Sequence, residues 1–226
     1  MQKVKWLICL VFMTLMFNVL HAQDWPNLNR YKTENDTVGP PQKGEKRIVF
    51  LGSSIIEFWK NDTPDFFKSN YINRGIGGQT SAQLLLRFRA DVINLKPAAV
   101  IILAGSNDIA GNTGPMTLEM IMDNICSMAE LAKVHKIKVI LCGNVPVYDY
   151  PWKPGIMPAE QIIKLNSMIK TYADRNKLGY LDFHTALKDE RNGSKVAYTK
   201  DGVHPNEAGY RILIPLTEVA IRKVLK

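Results

Sequence analysis

The sequence predicts an α/β protein, a three-layer sandwich in which a five-stranded parallel sheet is covered by helices on both faces. Two observations carry the prediction. Five short runs read as strands, and their apolar residues are continuous rather than alternating, as in parallel strands buried on both sides. Between them lie longer stretches with apolar residues at helical spacing, and that alternation is the pattern of a parallel sheet wrapped by its own crossovers. A third observation says which end of the sheet matters. The first three runs each lead into a short polar motif containing glycine. In the common open order 2-1-3-4-5 those three strands are neighbours, and ligands sit beyond the carboxyl ends of strands 1 and 3.

Taken in order, the chain begins with Lys3 and Lys5 before an apolar run from Trp6 to Leu20, broken only by Thr14 and Asn18, with Ala22 as a small residue behind it. Residues 1–22 read as a secretory signal peptide, the run being shorter than the roughly 20 apolar residues of a membrane-spanning helix. Cys9 lies inside the run rather than at its end, which argues against a lipid-modified N-terminal cysteine. The expected destination is periplasmic or extracellular, with no stable membrane insertion after cleavage. Residues 23–46 are polar and irregular, closed by Pro40-Pro41 and Gly44, and Trp25, Leu28 and Tyr31 suit an N-terminal arm packed on the domain that follows.

Residues 47–226 form that domain, a length that supports one core. Strands are predicted at 47–51, 71–76, 98–104, 138–142 and 179–183. A helix over 81–95 places Leu84, Leu85, Phe88, Val92 and Leu95 on one face. A second, over 117–135, starts at a Thr117 cap and carries Met120, Ile121, Ile125, Met128, Leu131 and Ala132. A third, over 158–176, opens at Pro158 and has Gly179 beyond its end. The last, over 206–225, is started by Pro205, which stiffens the mount of His204, and carries Pro215 as a kink.

The formal charge of +8 falls to +6 once Lys3 and Lys5 leave with the signal. The basic residues are scattered and form no stripe interleaved with aromatics, so no nucleic acid partner is expected. Cys126 and Cys142 fall in apolar contexts and read as buried thiols, with a disulfide geometrically open to them. No paired His or Cys stands at a ligand spacing, and no glycine-rich loop precedes a lysine, so neither metal nor cofactor is called for.

The polar motifs carry the chemistry. Gly52-Ser53-Ser54 ends strand 1 and leads into a helical stretch, which exposes a serine on a rigid turn before helix amides that favour negative charge. An ordinary cap serine has the same appearance. Gly77-Gly78 permits close approach of a bare backbone N–H, or is simply a tight turn. In Gly105-Ser106-Asn107-Asp108, Asn107 offers an amide donor to an oxyanion, and Asp108 fixes the loop. In Asp201-Gly202-Val203-His204, the two-residue spacing lets the carboxylate meet imidazole Nδ1–H and leaves Nε2 to take a serine proton. His184 is placed in a loop after strand 5.

These four motifs together resemble the conserved blocks of the SGNH (GDSL) hydrolases, from about residue 47 to the last helix. The string from Asp201 to Tyr210 is especially like the family's last block. The resemblance implies Ser54 as nucleophile, His204 as base and Asp201 as its partner. It implies an oxyanion hole of the Ser54 backbone, Gly78 and Asn107, on a flavodoxin-like sandwich with esterase, thioesterase or lipase activity and no metal. One departure stands out: where the family usually has Gly-Asp-Ser, this chain has Ser53 in the middle, and the spacing from Gly52 selects Ser54 of the two serines. The expected activity is removal of a short acyl group, foremost acetyl, from a small acylated substrate such as an acetylated glycan. Tyr148 and Trp152, in a Pro-rich loop after strand 4, are candidate sugar-binding residues. A lysophospholipase or thioesterase with the same triad, and a non-catalytic glycan-binding protein, are the alternatives.

Overall fold

A computed structural model of the chain describes residues 24–67 and 70–226, and the expected signal peptide lies outside them. The strands are β1 Ile48–Gly52, β2 Tyr71–Gly75, β3 Ala99–Ile102, β4 Lys138–Gly143 and β5 Gly179–Asp182. All neighbours pair in parallel, in the order β2-β1-β3-β4-β5. The helices are α1 Lys32–Val38, α2 Ser54–Asp62, α3 Ser81–Asp91, α4 Ser106–Ile109, α5 Leu118–Val134, α6 Ala159–Arg175, α7 Phe183–Leu187 and α8 Glu207–Val224.

The continuous apolar runs divide by pleat. Ile48, Phe50 and Ile101 face a core layer completed by Ile56 and Trp59 of α2 and by Tyr210 and Leu213 of α8. Val49, Leu51, Val100 and Ile102 face the opposite layer, with Leu84 and Phe88 of α3, Ile125 and Met128 of α5, and Leu165 of α6. Strand periodicity of two thus feeds both faces, which is why no strand of the sheet centre alternates with polar residues.

Several local readings are corrected. The arm is not irregular throughout: Leu28–Tyr31 forms a 3-10 turn that runs into α1, started by Asp24 accepting the N–H groups of Leu28 and Asn29. The helix predicted to reach residue 95 stops at Asp91 and hands over to a separate 3-10 turn, Ile93–Leu95. Met120 is exposed, because the buried stripe of α5 runs through Ile121, Met122, Ile125 and Met128 instead. The α6 C-terminus is closed by Lys177 in the left-handed region, with the Leu178 N–H returning to Ala173 O at 2.9 Å, and Gly179 already belongs to β5. Pro205 lies outside α8, whose cap is Asn206 accepting from Gly209 N–H. His184 sits buried in α7 rather than in a loop, and its Nε2 finds no partner among the described residues. Burial pulls its pKa below the ordinary imidazole value. β2 is an edge strand whose buried Asn73 and Arg74 interrupt the apolar run, paired respectively with Ile56 O and with Glu34 and Asn35. Cys142 is buried, Cys126 is half-buried, and both are free thiols. Among the described residues, no helix is long and apolar enough to cross a membrane.

Candidate active site

β1 ends at Gly52, Ser53 caps the next helix without a side-chain capping bond, and Ser54 is the first residue of α2. Its Oγ lies 2.8 Å from Nε2 of His204, a residue 150 positions away. Packing closes that separation. Tyr210, on the first turn of α8, stacks on Trp59 of α2 at 5.3 Å and gives its hydroxyl to Ile55 O at 2.8 Å. Lys200 also reaches Asp62 at the end of α2, at 2.7 Å. The helix carrying the serine and the helix following the histidine are therefore one packed unit.

The histidine mount is local. Asp201 Oδ2 meets His204 Nδ1 at 2.7 Å, while Oδ1 accepts the N–H groups of His204 at 2.8 Å and Val203 at 3.0 Å. Burial opposes ionisation of Asp201, but the hydrogen bonds from the His204 backbone and ring and from Val203 outweigh it and hold its pKa below the ordinary carboxylate range. The imidazole lies near Phe58, at 5.3 Å between ring centres, and near Trp152, at 5.9 Å.

The candidate donors come from the segments after β2 and β3. The Gly77 N–H is taken by Glu57 Oε2 at 2.7 Å. The Gly78 N–H has no acceptor among the described residues, and its φ of +75° turns the peptide as only glycine does readily. Asn112 Nδ2 holds the Gly78 carbonyl at 3.0 Å. Asn107 enters through Gly105, whose φ of +121° starts the short α4. One amide hydrogen of Asn107 goes to Gln79 O at 2.9 Å, which fixes the side chain and leaves the other hydrogen to donate. Asp108 accepts from the backbone and hydroxyl of Ser81, tying the Asn107 loop to the start of α3. Its burial raises its pKa against those same hydrogen bonds.

The loop after β4 contributes Trp152 to this assembly but sets Tyr148 farther out. Tyr148 lies under the Arg191 guanidinium at 4.8 Å and lines a cavity of about 350 Å³ with Lys200, Asp201 and Gly202. Tyr150, not singled out in the sequence, is fully buried between them: its hydroxyl bonds Ser106 O at 2.8 Å and Ser106 Oγ at 3.1 Å. Burial pushes its phenol up to about 12, so it stays a neutral donor. The loop is self-organised by Asp149, which accepts from the N–H groups of Tyr150, Gly155 and Met157, and Lys153 fastens it to Ala110 O at 2.7 Å. Arg87 and Gln79, the latter closing the motif Gly77-Gly78-Gln79, are further buried polar residues bonded to the loops of the site, and helical periodicity alone does not mark Arg87. The one available sign was Asp91 four residues after Arg87. A larger groove, about 860 Å³, runs along the free edge of β5 beside α8, apart from the glycine motifs.

Comparison with known proteins gives a consistent pattern. Residues 50–212 match the GDSL-like lipase/acylhydrolase family. The chain is similar in structure to a candidate acylhydrolase from Bacteroides fragilis NCTC 9343, with 49% identity and a TM-score of 0.88 over 90% of this chain and 100% of the other. It is equally similar to a GDSL-like lipase from Bacteroides thetaiotaomicron VPI-5482, with 49% identity and a TM-score of 0.86 over 88% and 99%. It is 39% identical to Esterase TesA of Pseudomonas aeruginosa over 105 residues, 44% of this chain and 51% of that protein. The chain spans about half the length of the curated relatives it matches.

Proposed function

The chain belongs to the GDSL-like lipase/acylhydrolase family and is a carboxylic ester hydrolase, and from that premise we propose that it is an exported serine esterase removing acetyl groups from carbohydrate. The observation that carries the mechanism is the unbroken chain from Ser54 Oγ to His204 to the Asp201 carboxylate, with both links at 2.7–2.8 Å. Ser54 Oγ attacks the ester carbonyl carbon while its proton passes to His204 Nε2. The carbonyl oxygen becomes an oxyanion facing the Ser54 and Gly78 N–H groups and the free Asn107 amide hydrogen. Collapse re-forms the carbonyl and breaks the bond to the leaving oxygen, which takes the proton from His204 Nε2 and departs as the alcohol. A water molecule then repeats the sequence on the acyl-serine and releases the carboxylic acid. Asp201 keeps Nδ1 protonated, so Nε2 is the basic nitrogen, and stabilises the imidazolium as it forms.

The substrate reading rests on what surrounds that chain. The leaving oxygen must sit beside His204, and there the half-exposed Trp152 presents an aromatic face suited to a sugar ring. Export is supported by the basic-then-apolar pattern of residues 1–22. Hydrolysis of p-nitrophenyl acetate, butyrate and octanoate, with acetate release from acetylated glycans, tests the proposal. Rates falling with chain length, and acetate released, are the expected result. Rates rising toward octanoate favour the thioesterase or lysophospholipase reading instead.

A further inference from the structure

The three proposed oxyanion donors come from three different loops, those after β1, β2 and β3. Such donors act on a transition state only if they are fixed before charge develops, because reorienting them during reaction would consume the gain. Something must hold the loops in register. Directly below them lies the guanidinium of Arg87, on α3 and fully buried.

Every branch of that guanidinium is bonded. Nη2 donates to Gly52 O at 3.0 Å, two residues before Ser54, and to Arg74 O at 2.8 Å. Nε donates to Gln79 Oε1 at 2.6 Å. Nη1 pairs with Asp91 at 2.8 Å, and Asp91 is in turn held by Asn35 of α1 at 2.7 Å. Gln79 extends the reach. It directly follows Gly78, its carbonyl accepts from Asn107, and its side-chain amide donates to Pro26 O of the N-terminal arm at 2.7 Å. The guanidinium thus touches the Ser54 loop directly, the Gly78 loop through the adjoining side chain, and Asn107 through the Gln79 carbonyl. A planar fork with five donors is the side chain that can serve these acceptors together, and an ammonium cannot.

We infer that Arg87, with Gln79 as its relay, is the positioning residue of the oxyanion hole. It touches no reacting atom. It sets where three donors stand, and the N-terminal arm is part of the same frame through Pro26 and Asn35. The inference rests on the proposed roles of Ser54, Gly78 and Asn107.

The test uses the chain from Gln23 onward with Arg87→Lys and Gln79→Met, the second being milder because it keeps the Arg87 contacts to Gly52 and Asp91. For each variant, kcat per fluorophosphonate-titrated site and KM for p-nitrophenyl acetate are measured. Alongside them goes Ki for a trifluoromethyl ketone, whose hemiketal oxyanion occupies the hole. Ki does not depend on the fraction of protein folded, so a residue that only stabilised the fold would leave it unchanged. The expected result is a Ki weakened on the order of 100-fold in Arg87→Lys and about tenfold in Gln79→Met, with kcat falling in parallel and KM moving less than threefold. Unchanged Ki and kcat in the Gln79→Met protein would overturn the inference, as would a rise in KM alone, even if Arg87→Lys does not fold. A wild-type protein that neither hydrolyses the ester nor takes the label would instead overturn the reading of Ser54 as nucleophile.

Discussion

The two halves of the site are built on opposite plans. The histidine side is one short stretch: Asp201 binds three groups within the next three residues, and the rings of Phe58 and Trp152 pack near the imidazole. The donor side is assembled from loops far apart in sequence, held by buried polar bonds such as Asn107 to Gln79 and Asp108 to Ser81. The difference follows from what each half must do. A base needs one ring in one tautomer, which a local turn can provide. An oxyanion needs several converging dipoles, and one loop cannot point three donors at a common centre.

Substitutions can break or sharpen this contrast, the most damaging being those where the halves meet. Ser54→Ala and His204→Ala should each lower kcat by on the order of 10⁴-fold or more, while Ser53→Ala should keep substantial turnover. A dead Ser53→Ala enzyme with an active Ser54→Ala one would reverse the assignment of the nucleophile.

Next comes the local half. Asp201→Asn should slow kcat by about 10³- to 10⁴-fold by favouring the wrong tautomer. Because the folded pKa of Asp201 is depressed, its contribution to stability is present above the ordinary carboxylate range and is lost as pH falls through the lowered value. Acid should therefore free the His204 mount as pH falls through the lowered Asp201 value, and activity should be lost with it. A wild-type acid limb identical to that of Asp201→Asn in stability as well as in rate would show that the carboxylate holds nothing in place.

For the distributed half, Asn107→Ala should cut kcat roughly 100- to 1,000-fold, about 3–4 kcal/mol, with KM nearly constant. A change confined to KM would make Asn107 a binding residue and remove the contrast. The smallest effect belongs to the outer wall. Trp152→Ala should raise KM for an acetylated glycan about three- to tenfold, the loss of one stacking contact worth ~1 kcal/mol, and leave p-nitrophenyl acetate hydrolysis almost unchanged. Equal losses on both substrates would place Trp152 in support of His204 instead.

The same contrast separates what could be read in the sequence from what could not. Asp201 and His204 were legible because every bond between them spans three residues or fewer. Gly52, Gly78 and Asn107 were legible because parallel order places the ends of β1, β2 and β3 side by side. Arg87 was not, since a charged residue in Leu84-Leu85-Leu86-Arg87-Phe88-Arg89 reads as helix surface, and its acceptors are carbonyls contributed by other strands. Tyr150 was passed over in favour of Tyr148, because nothing local distinguishes a tyrosine bonded to Ser106 from one facing solvent. Lys177 stands where Gly179 was expected to matter, a left-handed position that nothing in its side chain announces. Local covalent spacing can be read from a string of letters; the meeting of distant carbonyls with one guanidinium needs the fold.

The loop that carries Trp152 has a consequence of its own. Its turns are tied by Asp149 to the loop's own N–H groups, and it meets the catalytic frame through a few anchors, chiefly Tyr150 to Ser106 and Lys153 to Ala110. The Ser54–His204, His204–Asp201 and Asn107–Gln79 hydrogen bonds do not pass through residues 151–157, where the contacts to the frame are the Trp152 ring beside His204 and the Lys153 anchor. Segments of this kind can be exchanged, lengthened or resurfaced while the chemistry beneath stays intact. A lineage, or an engineer, that keeps Tyr150 and Lys153 can therefore retune which alcohol is released by rewriting a handful of residues, without renegotiating how the ester is cleaved.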